Sequence, residues 1–325
     1  MTRVGIIGVG DYLPKRILNN SHLEKMVNTS DEWIFTRTGI KERRIARKNE
    51  STSDMAVVAA RRALRNAHLK AQDVDLIIVA TITGDMHFPS TACLVQNALG
   101  AFNAACFDIN AACPGFVYAL VNAQAFIKSG IYRNALIIGA EKLTSITDWT
   151  DRNTCILFGD GAGAAVLAPV KRGGILSSFL ASNGALADLL FLPAGGSKLP
   201  TSKQTLKQRM HFIKMRGNEL FKFAVKLMVD AANSALKKCG LNCSDVTYII
   251  PHQANIRILL AVARKLGLPK EKIFLNLHKY GNMSSASTAV ALSEVIKKKK
   301  LKKGDILVLD AFGAGLVWGA AVIEW

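Results

Sequence analysis

A chain of 325 residues that is 50% hydrophobic can form two domains of ordinary size around a substantial core, and it needs no disulfide staples. No uninterrupted apolar run approaches the roughly 20 residues of a membrane-spanning helix. Residues 4–10 are too short and glycine-broken for a signal-peptide core, so the expectation is a cytoplasmic protein without membrane insertion. The net charge of +18 is uneven: residues 171–325 hold 24 basic and 9 acidic side chains, against 18 and 15 before them, which favours an anionic partner.

In chain order, residues 4–10 read as a first strand. Residues 53–69 follow polar capping residues and put Val57, Ala60, Leu64 and Ala67 on one helical stripe. Leu76-Ile77-Ile78-Val79-Ala80 is a wholly apolar run of the kind found in strands buried on both faces. Further strands are predicted at 105–109, 136–139 and 164–167. After residue 170 the order of events recurs. A helix at 217–238 turns Leu220, Ala224, Leu227, Ala231 and Ala235 inward, and a strand follows at 245–250. Helices at 255–266 and 285–296 and strands at 306–310 and 320–323 complete the chain.

The two parts also end alike, Gly159-Asp160-Gly161-Ala162-Gly163 against Phe312-Gly313-Ala314-Gly315. A duplicated α/β unit is the economical reading, with halves 1–170 and 171–325 meeting near 169–174. Residues 182–211 read as an exposed insertion. The lysine run 297–300, with Lys302 and Lys303, suits a solvated helix C-terminus. The glycine clusters lack the G-x-G-x-x-G spacing and precede a strand, so they do not bind a dinucleotide; no Walker A pattern occurs.

Of six cysteines, Cys113 stands apart. It follows a strand and is succeeded by Pro114 and an apolar helix, which puts its thiol at a helix N-terminus. There the helix dipole favours thiolate, and unpaired N–H groups can meet an oxyanion. Cys93, Cys106, Cys155, Cys239 and Cys243 read as reduced thiols; no CxxC pair is present and no metal site is expected. His252 sits at the carboxyl end of a strand, the edge where α/β sheets bind ligands. Asn282 lies in a glycine-preceded turn entering a helix.

The sequences Asn110-Ala111-Ala112-Cys113-x-Gly115-Phe116, His252-Gln253-Ala254-Asn255-x-Arg257 and Gly281-Asn282-x-Ser284-x-Ala286-Ser287 together resemble the β-ketoacyl-acyl-carrier-protein synthase III family. The resemblance extends through Thr29–Ile34, Phe158–Gly163, Met215–Lys222 and Asp310–Gly315, in order over essentially the whole chain. It implies an α/β thiolase fold, two similar halves stacked as five layers α-β-α-β-α, and a homodimer. It implies decarboxylative condensation of an acyl-coenzyme A starter with malonyl-acyl-carrier protein, initiating type II fatty acid synthesis. Cys113, His252 and Asn282 would be catalytic, with the backbone N–H groups of Cys113 and Ala314 as oxyanion hole. The family often has glycine where Ala314 stands.

Coenzyme A is implied as part of the substrate and not as a bound cofactor, with contacts on Thr29, Trp33, Arg37, Arg152, Gly217, Phe221, Ala254 and Asn255. Phe88, Phe312, Leu143 and Leu189 would shape the acyl pocket, Phe88 being lent across the dimer. Arg257, Arg264 and Lys265 at i, i+7 and i+8, with Lys222, would dock the acidic carrier protein. Papain-like hydrolases also use Cys, His and Asn in this order, but their Cys-Gly-Ser-Cys-Trp pattern is absent. A nucleic-acid partner is not expected, because no stacking aromatics alternate with the basic clusters.

Overall fold

The computed structural model describes residues 2–298 and 301–325; Lys299 and Lys300 of the lysine run lie outside the described residues. In the strand Leu76–Ala80 every side chain is buried. The strand's period of two explains how this is possible: Leu76, Ile78 and Ala80 face one apolar cluster, Ile77 and Val79 another. The strand therefore has helices on both faces, and its sequence is apolar throughout.

Five strands make the first sheet, in the order Val4–Tyr12, Asp160–Pro169, Ala135–Lys142, Leu76–Ala80 and Ala105–Ile109. The last three run parallel, and the first two are antiparallel to their neighbours. The second sheet has the order Tyr248–Pro251, Ile306–Gly313, Val317–Glu324 and Gly174–Ser182, with the first pair parallel and the others antiparallel. An isolated parallel bridge from Ile249 to Ile273 marks where a fifth strand would lie.

Between the sheets run the helices Gly115–Lys128 and Ser285–Lys298, whose Phe116, Leu120, Ala289 and Leu292 share one core with Ile78 of the first sheet and Leu309 of the second. Helix Thr52–Asn66 covers the outer face of the first sheet, and helices Gly217–Lys238 and Ile256–Lys265 cover that of the second. The layers thus alternate helix, sheet, helix, sheet, helix.

Boundaries shift from the sequence-based expectation where capping decides them. Helix Thr52–Asn66 starts one residue early because Ser51 and Asp54 form a reciprocal capping box. The strand expected from 245 begins only at Tyr248, since Asn242 and Asp245 close a capping box over a single turn. On Gly217–Lys238, Met228 is fully buried while Leu227 is half-buried, so the inward stripe passes through Met228. Residues 182–211 are only partly exposed: Leu189, Ala194 and Thr205 are buried. Phe191 and Leu190 pair with Lys214 and Met215, folding the segment back on the body. Among the described residues no helix is long and apolar enough to cross a membrane.

Candidate active site

Strand Ala105–Ile109 ends in a tight turn in which Ala112 takes a left-handed φ of 45°, and the Gly115 N–H bonds back to the Ala112 carbonyl at 2.9 Å. Pro114 caps the helix Gly115–Lys128. This turn sets Cys113 at the helix N-terminus, one residue before the cap. Burial pushes its thiol up to about 12 and nearby Glu141 pushes the same way, while the polar groups of Ser284 and its own backbone N–H pull against them. The helix N-terminus alone therefore does not make this buried sulfur a resting thiolate.

His252 continues strand Tyr248–Pro251, and its backbone N–H donates to the Asp310 carbonyl at 2.7 Å. Burial lowers the imidazole to about 3 against an opposing contribution from the Ser284 backbone, so it is neutral across the physiological range. Asn282 is held from both sides: its N–H donates to the Leu157 carbonyl at 2.9 Å and its carbonyl accepts from the Gly159 N–H at 3.0 Å. Its side-chain oxygen accepts from the Ser284 N–H at 2.8 Å. That bond fixes the amide orientation and leaves the NH₂ end free to donate.

Cys113, His252 and Asn282 line one cavity of about 610 Å³, together with Phe312 and Gly313. Gly313 is glycine for want of room: a Cβ there would lie 2.8 Å from the Cys113 Cβ and 3.0 Å from its nitrogen. Among the described residues the Ala314 N–H donates to no other group, and it follows Gly313 in the loop closed against Cys113.

Toward the mouth, the cavity is lined by Trp33, Arg37, Gly217, Phe221, Ala254, Asn255 and Arg257. Ser30 caps the helix Asp31–Thr38 and accepts from the Trp33 N–H at 3.1 Å, which orients the indole at the helix start. The Arg37 and Arg152 guanidiniums lie 5.0 and 4.6 Å from the Trp33 ring centre. Arg152 also donates to the Asn28 carbonyl at 3.0 Å. Thr29 Oγ1 is buried without a partner. Asn255 joins the two parts of the mouth: its Oδ1 caps Ile256–Lys265 by accepting from Arg257 N–H at 2.9 Å, and its Nδ2 donates to the Arg37 carbonyl at 3.0 Å.

Other expected residues lie outside the lining. Leu143 is buried against Phe158, which does line the cavity, and Leu189 shares a core with Phe312. Phe158 and Met215, from two of the resembling segments, supply apolar wall together with Leu157 and Leu190, which the sequence did not single out. Phe88 is 84% exposed and lines none of its own chain's cavity. Arg257, Arg264, Lys265 and Lys222 are all exposed, but only Arg257 reaches the cavity, with its guanidinium 5.5 Å from the Phe221 ring centre.

Comparison with known proteins places this geometry in a family. Residues 107–184 match the 3-oxoacyl-[acyl-carrier-protein] synthase III family, and residues 236–325 match its C-terminal region. The chain is 56% identical over 322 residues to the beta-ketoacyl-[acyl-carrier-protein] synthase III of Caldanaerobacter subterraneus, covering 99% of this chain and 97% of the relative. It is 53% identical to the Clostridioides difficile enzyme of the same name, over 100% of this chain and 99% of that one. The crystal structure of the Aquifex aeolicus 3-oxoacyl-[acyl-carrier-protein] synthase III superposes with a TM-score of 0.92 at 50% identity, over 99% of this chain and 100% of that one. With its layered thiolase fold and this full-length similarity, the chain belongs to the 3-oxoacyl-[acyl-carrier-protein] synthase III family of condensing acyltransferases.

Proposed function

We propose that this chain joins an acyl-coenzyme A starter to malonyl-acyl-carrier protein by decarboxylative Claisen condensation, opening type II fatty acid synthesis through an acyl-Cys113 intermediate. The observation that carries the residue assignment is the shared cavity of Cys113, His252 and Asn282.

In the first half-reaction the Cys113 sulfur attacks the starter thioester and coenzyme A leaves. The charge that develops on the carbonyl oxygen is met by the N–H groups of Cys113 and Ala314, an alanine serving as well as glycine because the donor is backbone. One such donor is worth roughly 3–4 kcal/mol of transition-state stabilisation. The second half-reaction must hold the enolate left when malonyl loses carbon dioxide. No proton is removed in that step, so hydrogen-bond donors are needed and a base is not. A neutral imidazole and the free NH₂ of Asn282 meet this requirement.

Coenzyme A enters past Thr29, Trp33, Arg37, Arg152, Gly217, Phe221, Ala254 and Asn255, as a substrate and without any resident cofactor. The unpartnered Thr29 hydroxyl and the aromatic and guanidinium faces of Trp33 and Arg152 suit an adenine ring and phosphates. The exposed cations Lys222, Arg257, Arg264 and Lys265 suit an acidic carrier protein. The reading includes two equivalent halves, 1–170 and 171–325, with the nucleophile from the first and His252 and Asn282 from the second, in a cytoplasmic homodimer.

Intact-mass spectrometry after exposure to acyl-coenzyme A thioesters tests this. The wild type should gain one acyl group, mapped to Cys113, and Cys113→Ala should gain none. His252→Ala should still acylate, while carbon dioxide release from malonyl-carrier protein falls by about a hundred-fold or more. Acyl transfer that persists in Cys113→Ala would refute the nucleophile. Equal loss of both half-reactions in His252→Ala would refute the role given to the imidazole.

A further inference from the structure

Two of the cysteines that the condensing cycle does not use lie against each other. The Cys93 and Cys106 sulfurs are 3.4 Å apart, although the residues stand 13 positions apart in the chain. Cys93 is in the first turn of helix Thr91–Leu99, and Cys106 is the second residue of strand Ala105–Ile109. Both are free thiols and both are half-buried. The other cysteines outside the cavity are placed differently: Cys155 is buried, and the sulfurs of Cys239 and Cys243 turn to oxygens of Leu236 and Asn233.

Both sides of this contact are fixed in place. The Asp108 carboxylate, two residues along the strand from Cys106 and so on the same face, accepts from the Thr91 and Ala92 N–H groups at 2.7 Å each. The first turn of the helix is thereby tied to the strand. Ser90 caps that turn, its Oγ accepting from the Cys93 N–H at 3.3 Å. The Cys106 side chain packs with the outer cluster around Val95 and Ala104, so the paired sulfurs lie on a face of the sheet and not along its edge.

The two sulfurs are not equivalent. The Ser90 hydroxyl donates to the Cys93 sulfur at 3.2 Å. Burial, and after it the contact with Cys93, pushes the Cys106 thiol up to about 11, so Cys106 keeps its proton and serves as the donor between the two. Negative charge that gathers on the Cys93 sulfur therefore meets two hydrogen-bond donors.

We propose that Cys93 and Cys106 form a dithiol site that a small hydroperoxide oxidises to an intrachain disulfide, outside the catalytic cavity. Neither residue lines that cavity. The Cys93 sulfur attacks one peroxide oxygen: the sulfur–oxygen bond forms, the oxygen–oxygen bond breaks, and the Cys93 proton leaves with the other oxygen as water or an alcohol. Cys93 is then a sulfenic acid. The Cys106 sulfur attacks it, the sulfur–sulfur bond forms, and the Cys93 hydroxyl departs as water with the Cys106 proton. Two thiols have lost two electrons to the peroxide. The sulfurs need only close from 3.4 Å to about 2.0 Å, and the helix and strand that carry them are already tied through Asp108. A thiol reductant reverses this bond, so the pair takes up an oxidising equivalent without loss of the Cys113 sulfur.

Reduced protein given one equivalent of hydrogen peroxide, then alkylated and digested without reductant, tests the site. The intact chain should lose about two mass units, a peptide pair joining Cys93 to Cys106 should appear, and dithiothreitol should reverse both. Cys106→Ser should stop at a sulfenic acid on Cys93 that dimedone traps, whereas Cys93→Ser should react at less than about a tenth of the wild-type rate. Ser90→Ala should slow disulfide formation by about three-fold or more. The site is refuted if both thiols of the treated wild type still alkylate while Cys113 or another cysteine is oxidised, or if the disulfide joins two chains. Sulfenic acid on Cys106 in Cys93→Ser, with none on Cys93 in Cys106→Ser, would overturn the order of attack. The wild-type map needs no variant, and either serine variant decides should the other fail to fold.

Discussion

At the scale of single residues, the site concentrates groups kept in states they would not choose in water. Cys113 is held as a thiol, His252 as neutral imidazole and Glu141 near neutrality, all raised or lowered chiefly by burial. Such settings should carry a stability cost that substitution reveals. Glu141 has a folded pKa of about 7 against an ordinary value of 4.5. The folded chain thus binds this proton more tightly than the unfolded chain, so the contribution is full below the unfolded value and is lost as pH rises through the folded one. Glutamine keeps an acceptor for the Ile82 N–H and carries no charge. Glu141→Gln should therefore be more stable than wild type at about pH 8, by on the order of 1–3 kcal/mol, with the difference shrinking toward about pH 5. Urea denaturation at the two pH values measures it, and a loss of stability at high pH would contradict the account. Gly313 makes the opposite case, since a methyl there collides with the nucleophile's own backbone. Gly313→Ala should fold but acylate at least about ten-fold more slowly, because the loop that presents the Ala314 N–H must move.

Among the elements, the sequence signals that proved sufficient were local ones. The Cys113 turn is written in five consecutive residues and the outer helices in their own periodicity, so they can be read without knowledge of the rest of the fold. Glu141 was not legible. A lone acid after Gly139-Ala140 gives no sign of burial, and its partners come from residues 81–83 and from Ser285. The cavity wall from Leu157 and Leu190 was missed for the same reason, Leu190 reaching it from an insertion that folds back to pair with Lys214 and Met215. On the helix Ile256–Lys265 the cations of one face fall in two places. Arg257 borders the cavity and stacks on Phe221, whereas Arg264 and Lys265, two turns on, are exposed beyond it. A carrier-protein dock should thus be separable from the coenzyme site. Arg264→Glu with Lys265→Glu should raise KM for malonyl-carrier protein by about ten-fold or more at low ionic strength and less at high, with kcat and acylation by acyl-coenzyme A within about two-fold. An equal rise for both substrates would place these cations at the mouth.

For the molecule as a whole, the four strands of the second sheet repeat the order and directions of four in the first, with the Ile249–Ile273 bridge at the place of the fifth, and the two central helices start from corresponding places. Helix Gly115–Lys128 begins just after Cys113, and helix Ser285–Lys298 just after Asn282. Two buried helices starting side by side aim their N-termini at one cavity, a suitable place for chemistry that creates negative charge twice. The first sheet ends in Ala105–Ile109, whose second edge pairs with nothing among the described residues. In the segments before and after helix Thr91–Leu99, which precedes that strand, Phe88, Phe102 and Met86 are 84%, 70% and 52% exposed. An open sheet edge and exposed apolar side chains both invite a second copy of the chain. The purified protein should sediment as two 35.1 kDa chains. Such a dimer would also give Phe88 a place to act, since it is absent from its own cavity. Phe88→Ala homodimers should accept longer starters than wild type. A mixed dimer of a Phe88→Ala chain and a Cys113→Ala chain then discriminates sharply. Its single working sulfur sits on the chain without Phe88, yet faces a partner that retains it, so wild-type starter preference should return. Preference like that of the Phe88→Ala homodimer would mean that Phe88 acts within its own chain, and the cross-dimer role would be lost.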